Sequence, residues 1–130
     1  MTKTRTELNA ISKSVLNTAF KVHSTYGPGL LESAYEAILV HELRKKGHLV
    51  KRQPPMPLVH EGVVLDTAYR LDILVDDEVI IELKSVEAIS KVHHKQLITY
   101  LKLSDKRLGL LINFNVVSLK DGIHRKVNRF

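Results

Sequence analysis

Asp72, Glu82 and Lys84 lie in a stretch, YRLDILVDDEVIIELKSV, whose other residues are largely suited to burial. Alternation puts Leu71, Ile73 and Val75 on one face of a first strand and Val79, Ile81 and Leu83 on one face of a second. With Asp76, Asp77 and Glu78 as the connection, Val75 opposes Val79, which sets Asp72 opposite Glu82 and Arg70 opposite Lys84. Carboxylates facing one another across an antiparallel pair destabilise it unless something positive lies between them. A hard divalent ion such as Mg2+ takes carboxylate oxygens and waters. Lys84, two residues beyond Glu82 on the same face, can then reach a water or a phosphate oxygen beside it. Two acids and a lysine converging on one point can hydrolyse a phosphodiester. The same spacing also suits a plain charge cluster, in which Arg70 and Lys84 neutralise the acids.

The elements that must position these groups are legible in the periodicity. Residues 4 to 25 carry Leu8, Ile11, Val15, Leu16, Ala19 and Val22 at helical spacing, and YGPG at 26 to 29 stops the pattern. A second helix follows from Leu30 to Lys46 and ends at Gly47. From His48 to Val86 the pattern becomes strand-like: HLVKRQ, PLVH, VVLD, YRLDILV and VIIELKSV, with prolines 54, 55 and 57 marking a break or an edge. Ser90 caps a third helix to Leu103 that packs through Val92, Leu97, Ile98 and Leu101. RLGLLINF, VVSL and IHRKV read as further strands, with KDG as a turn. Two helices, a meander, a helix and more strands make an α/β or α+β chain with a mixed sheet, and 130 residues suit one domain spanning 1–130.

Composition narrows the chemistry. There are no cysteines, which excludes disulfides, thiolate nucleophiles and cysteine-based zinc sites. The first twenty residues lack a signal peptide's apolar core, and no segment has the roughly 18 apolar residues of a membrane helix, so a soluble, cytoplasmic chain without a membrane partner is expected. A net charge of +6 suits either a polyanionic partner or plain solubility. Residues 101 to 130 hold seven basic groups against two acidic ones, which nominates Lys102, Lys106, Arg107, Arg125 and Lys126 for contacts with nucleic acid. No His-Glu-x-x-His pattern organises the seven histidines, and Tyr26, Tyr35 and Tyr69 read as packing residues.

Asp72 followed by Glu82-Leu83-Lys84 resembles the signature of the PD-(D/E)XK nuclease superfamily, with Leu71 where a proline often precedes the aspartate. GLLESAY at 29 to 35 is similar to the Gly-x-x-Glu-x-x-Tyr signature of the GxxExxY protein family, a branch of that superfamily. VKRQ, YRLDILV, ELKSVE, QLITYLK, LGLLINF and LKDGI resemble its successive blocks. The resemblance implies a restriction-endonuclease-like α/β core, α-β-β-β-α-β, with a mixed sheet flanked by helices and the site where the sheet splays. It implies Asp72 and Glu82 as ligands of Mg2+ or Mn2+, Glu32 as a helix-borne acid facing the metal, the Leu83 carbonyl completing the sphere, and Lys84 as the catalytic lysine. Gln96 and Tyr100 resemble the Gln-x-x-x-Tyr element of RecB-like nucleases, which borders the active site and DNA. Glu32 is also explained by the dipole of its helix, with Tyr35 and Glu36 on its face to orient it. The expected activity is metal-dependent cleavage of phosphodiester bonds, in DNA. A non-catalytic nucleic-acid-binding or assembly module on the same scaffold, and a hydrolase of smaller phosphate esters, are the rivals. So short a chain leaves room for a homodimer or a partner subunit to complete substrate recognition.

Overall fold

The computed structural model describes residues 2–65 and 69–130. Thr4 opens α1 (Arg5–Tyr26) with a reciprocal cap: its hydroxyl accepts the Glu7 N–H at 3.1 Å while the Glu7 carboxylate accepts the Thr4 N–H at 3.0 Å. Leu8, Ile11, Val15, Ala19 and Val22 form the buried stripe that the periodicity predicts. Before α2 (Glu32–Lys45) the chain turns, and Tyr35 clamps that turn. Its hydroxyl donates to the Gly27 carbonyl and accepts the Leu30 N–H at 3.1 Å, while its buried ring stacks on Phe114 at 4.3 Å. The spacing from Gly29 to Tyr35 thus has a structural reason, because one turn beyond Glu32 the tyrosine folds back onto the loop that starts the helix.

The strands are β1 (Val50–Arg52), β2 (Leu58–His60), β3 (Val63–Leu65), β4 (Ile73–Val75), β5 (Val79–Lys84), β6 (Leu108–Asn113) and β7 (Ile123–Val127). A five-stranded sheet runs β1-β4-β5-β6-β7, and β2 and β3 pair as a hairpin of their own. β5 and β6 are parallel and joined through α3 (Lys91–Ser104), while the other neighbours are antiparallel, so the sheet is mixed. Ser90 caps α3 as expected. One face of the sheet packs on α1 and α2 around Tyr35, Leu39, Ile73, Ile81 and Leu110; the other holds α3 over Leu74, Ile80 and Leu111. Gly109 lets α3 come close, since a Cβ there would stand 2.9 Å from a Leu97 methyl. This is the α-β-β-β-α-β order expected, with β2 and β3 inserted inside the meander.

The hairpin register is as the alternation predicts, with Val75 opposite Val79 and Ile73 opposite Ile81. Beyond Ile73 the structure departs from it. The chain bends at Asp72, and residues 69–72 leave the β5 ladder while continuing the β1-side pairing: Gln53 N–H to the Asp72 carbonyl at 2.8 Å, Leu71 N–H to the Pro54 carbonyl at 3.1 Å, and Arg70 bridged to Pro55. Arg70 therefore does not face Lys84; it is exposed and bonds the Gln53 carbonyl. The bend also carries Leu71 to the α3 side, against Leu74 and Ile80, and not to the face of Ile73 and Val75. β4 and β5 consequently part at Asp72.

Two smaller expectations also change. Val92 is 70% exposed, and Tyr100, three residues after Leu97, takes the packing place on α3. VVSL is no strand, because the Asn113 side chain bonds the Val86 and Asn115 amides and ends β6, and the chain passes through bends into a 3-10 turn, Leu119–Gly122. Asp66, the end of VVLD, lies outside the described residues.

Candidate active site

The parting of β4 from β5 frames the candidate site. In the paired part of the hairpin, backbone amides are satisfied across the ladder; past it, side chains take over. The Glu82 carboxylate accepts the Asp72 N–H at 2.8 Å, and the Asp72 carboxylate accepts the Leu83 N–H at 2.8 Å. The two acids thus lock the strands together where the ladder has ended. In an extended strand the N–H and C=O of one residue point to the same side, so the Leu83 carbonyl faces the same gap.

Glu82 is only 6% exposed and Asp72 is half-buried. Burial pushes the Glu82 carboxyl up to about 8, with the Asp72 charge and then the Glu32 charge adding to it, against the pull of the Asp72 N–H and of Lys84. Burial likewise raises Asp72 to about 6; the Glu36 and Glu32 charges add, while the Leu83 N–H and Lys84 oppose. Neither carboxylate makes an ion pair among the described residues. Lys84 lies two residues along β5 from Glu82, half-buried, and its charge acts on both acids.

A model of the PD-(D/E)XK nuclease superfamily matches residues 9–126. The chain belongs to that superfamily. No curated protein and no solved structure matches it. Asp72 and Glu82, the acids nominated from sequence, stand where β4 and β5 part, and Leu71 is carried into the α3-side core.

The helices on either side supply the rest. Glu32 is exposed in the first turn of α2 and reaches the pair as a field. Among the described residues no group of three or more His, Cys, Asp or Glu side chains is close enough to hold a metal ion. Glu36, named from sequence only as a partner for Glu32, is 5% exposed and receives Arg52 Nε at 2.7 Å and Gln53 Nε2 at 3.1 Å. Its charge reaches Asp72 more strongly than that of Glu32. Like charges at i and i+4, Glu32 and Glu36, are unfavourable on a helix unless one is paired elsewhere, and that was the available signal. From α3, Gln96 Nε2 donates to the Tyr100 hydroxyl at 2.9 Å. Burial raises the Tyr100 hydroxyl, and the charges of Glu82, Tyr69 and Asp72 add to the shift.

The basic residues nominated from the tail do not gather at this point. Lys106 bonds the Asp77 carbonyl at the hairpin turn and Arg107 the Lys3 carbonyl. Arg125 faces α1, bonding Asn9. Lys126, two strands from Ile80 through Gly109 and hence about 10 Å away, shares the α3 face, and Lys102 is exposed on α3.

Proposed function

We propose that the chain is a metal-dependent nuclease of the GxxExxY branch, that residues 1–130 act as one domain, and that it hydrolyses phosphodiester bonds in DNA. The observation that carries this reading is a pair of carboxylates, locked across a parting of the sheet and raised well above the usual carboxylate range, with no cation bonded to either among the described residues. Structural acids are placed beside their counter-ions; these are held ready for one. Two carboxylates and the Leu83 carbonyl suit Mg2+, which usually keeps several waters and takes one or two protein carboxylates. Mn2+ would fit the same oxygens.

Asp72 and Glu82 would hold the ion with the Leu83 carbonyl. When bound, Mg2+ polarises the phosphoryl oxygen and lowers the pKa of a coordinated water. Lys84, beside both acids, would orient the attacking water or offset charge developing on the phosphate. Glu32, whose charge reaches the pair from the start of α2, would bind the outer waters. Gln96, tied to Tyr100, would border the substrate on the α3 side. Lys102 and Lys126 would meet the phosphates farther along the strand. Lys106, Arg107 and Arg125 would do so only by leaving their present partners.

The test is a cleavage panel over single-stranded DNA, duplex DNA and RNA with Mg2+, Mn2+ or chelator. Asp72→Ala and Glu82→Ala should each reduce metal-dependent cleavage by on the order of 10³-fold or more while the protein stays folded. Cleavage at wild-type rates by both variants would remove the proposal. The non-catalytic rival predicts salt-sensitive binding in chelator and no cut product.

A further inference from the structure

A cleft of about 420 Å3 opens between the β2–β3 hairpin and α3, walled by Leu58, Tyr69, Gln96, Thr99, Tyr100 and Leu103. Its volume falls in the roughly 300–1,000 Å3 range of small-ligand sites. Three features say what it would take. Its walls are two tyrosines and two leucines, with one amide and one hydroxyl, the mixture that receives a flat heteroaromatic ring and reads its edge. The Tyr69 and Tyr100 rings meet edge to face, 6.2 Å apart at 64°, two aromatic walls set at an angle, and Tyr69 is 48% exposed. The third feature is position. Tyr69 is three residues before Asp72 on the segment that pairs with residues 53–56, and Tyr100 lies within the field of Asp72 and Glu82.

We propose that this cleft receives one unpaired nucleobase of the strand whose phosphate is bound at Asp72 and Glu82, with Tyr69 as its stacking wall. The inference rests on the nuclease reading and narrows its substrate. A base inside a duplex cannot enter, so single strands, flaps or frayed ends are preferred over intact duplex. The electrostatics agree with a nucleic-acid strand: α3 carries Lys91, Lys95 and Lys102 and no acidic residue. Val63, exposed on the same hairpin face as Leu58, extends that apolar wall.

The test is a binding measurement, independent of turnover. Lys84→Ala protein in Ca2+ is titrated into single-stranded 12-mers containing one 2-aminopurine or one abasic position, scanned along the strand. At one position the 2-aminopurine fluorescence should be quenched on binding, as stacking requires, and an abasic site there should weaken binding about tenfold, within what base–aromatic stacking contributes. Tyr69→Ala should weaken the intact strand about tenfold, leave the abasic strand unchanged, and be rescued by Tyr69→Phe. Equal loss for both strands, no loss for either, or fluorescence unaltered at every position would overturn the pocket. If the wild type cuts nucleic acid in Mg2+ with those results, the nuclease reading stands without it. Positional quenching with no cleavage by wild type in any metal would keep the pocket and remove the nuclease.

Discussion

At the turn of the β4–β5 hairpin, Asp76 bonds the His48 ring at 2.7 Å and accepts the Leu49 N–H at 2.9 Å, and Asp77 pairs with Lys51 at 3.3 Å. At the open end of the same hairpin, the Glu82 carboxylate accepts the Asp72 N–H, the Asp72 carboxylate accepts the Leu83 N–H, and neither has a bonded cation among the described residues. The turn holds Asp76, Asp77 and Glu78 and the open end Asp72 and Glu82, so residue type does not distinguish them; the side-chain partners of Asp76 and Asp77 do. The turn acids also have a backbone reason to be there, since Asp76 and Asp77 sit at φ 52° and 59°, where a short polar side chain is tolerated. His48 continues from Asp76 to Ser14 Oγ at 2.7 Å. Ser14 is in mid-helix, its own amide spent inside α1, so no backbone donor stands beside it for an oxyanion and the relay serves to tie α1 to the turn. One acid pair is structural and answered. The other has no bonded cation among the described residues, and its raised carboxyls are the ones proposed above to meet a metal ion.

After the two acids themselves, the largest expected effect is at Lys84. Lys84→Ala should slow cleavage by on the order of 10²-fold while Mn2+ affinity, read by isothermal titration, changes little. If instead metal binding is lost with the activity, the lysine is part of the acid pair's support and the contrast between the two ends is weaker than drawn.

The raised carboxyls should also be visible without any substrate. Glu82 and Asp72 hold protons in the folded state up to about 8 and about 6, whereas unfolded they release them near 4.5 and 3.8. Their contribution is therefore complete below pH 4 and is lost as pH rises through 6 and then 8. The metal-free protein should lose on the order of 5 kcal/mol between pH 5 and pH 8.5, measured by urea unfolding. Glu82→Gln, which cannot ionise, should flatten most of that slope. At pH 8.5, Mg2+ should restore the wild type and not the variant. A wild-type profile already flat in chelator would show that the open end is as well compensated as the turn.

How much of this was readable from residues alone follows the same division. The register from Val75 to Ile73, the Ser90 cap and the stripe of α1 are local regularities, and periodicity carries them. The bend at Asp72 is not local: residues 69–72 stay paired with the stretch after β1, on the edge away from β5, while the Asp72 and Glu82 side chains take up the amides between β4 and β5. That departure shortens the β4–β5 ladder, moves Leu71 to the other face and deprives Lys84 of Arg70. Glu36 was undervalued for a similar reason, since its counter-ion Arg52 is brought in by β1. Tyr69 reads as a packing residue in any sequence; only the inserted β2–β3 hairpin makes it a cleft wall.

The smallest expected effect tests the answered end. Asp76→Ala removes a hydrogen bond to His48 and another to Leu49 N–H, and places alanine at a positive φ, so it should cost about 1–2 kcal/mol of stability. Asp76→Asn keeps the turn and a side-chain acceptor for the Leu49 amide, so it should recover part of that loss. Cleavage per folded molecule should stay at the wild-type level in both, because the turn lies three ladder positions from Ile81 and Asp76 is bonded to His48 and the Leu49 amide where it stands. An Asp76→Ala protein that is fully stable yet cuts slowly would mean that charge at the turn is felt at the opening. The hairpin would then be one electrostatic unit, and the distinction between its two ends would fail.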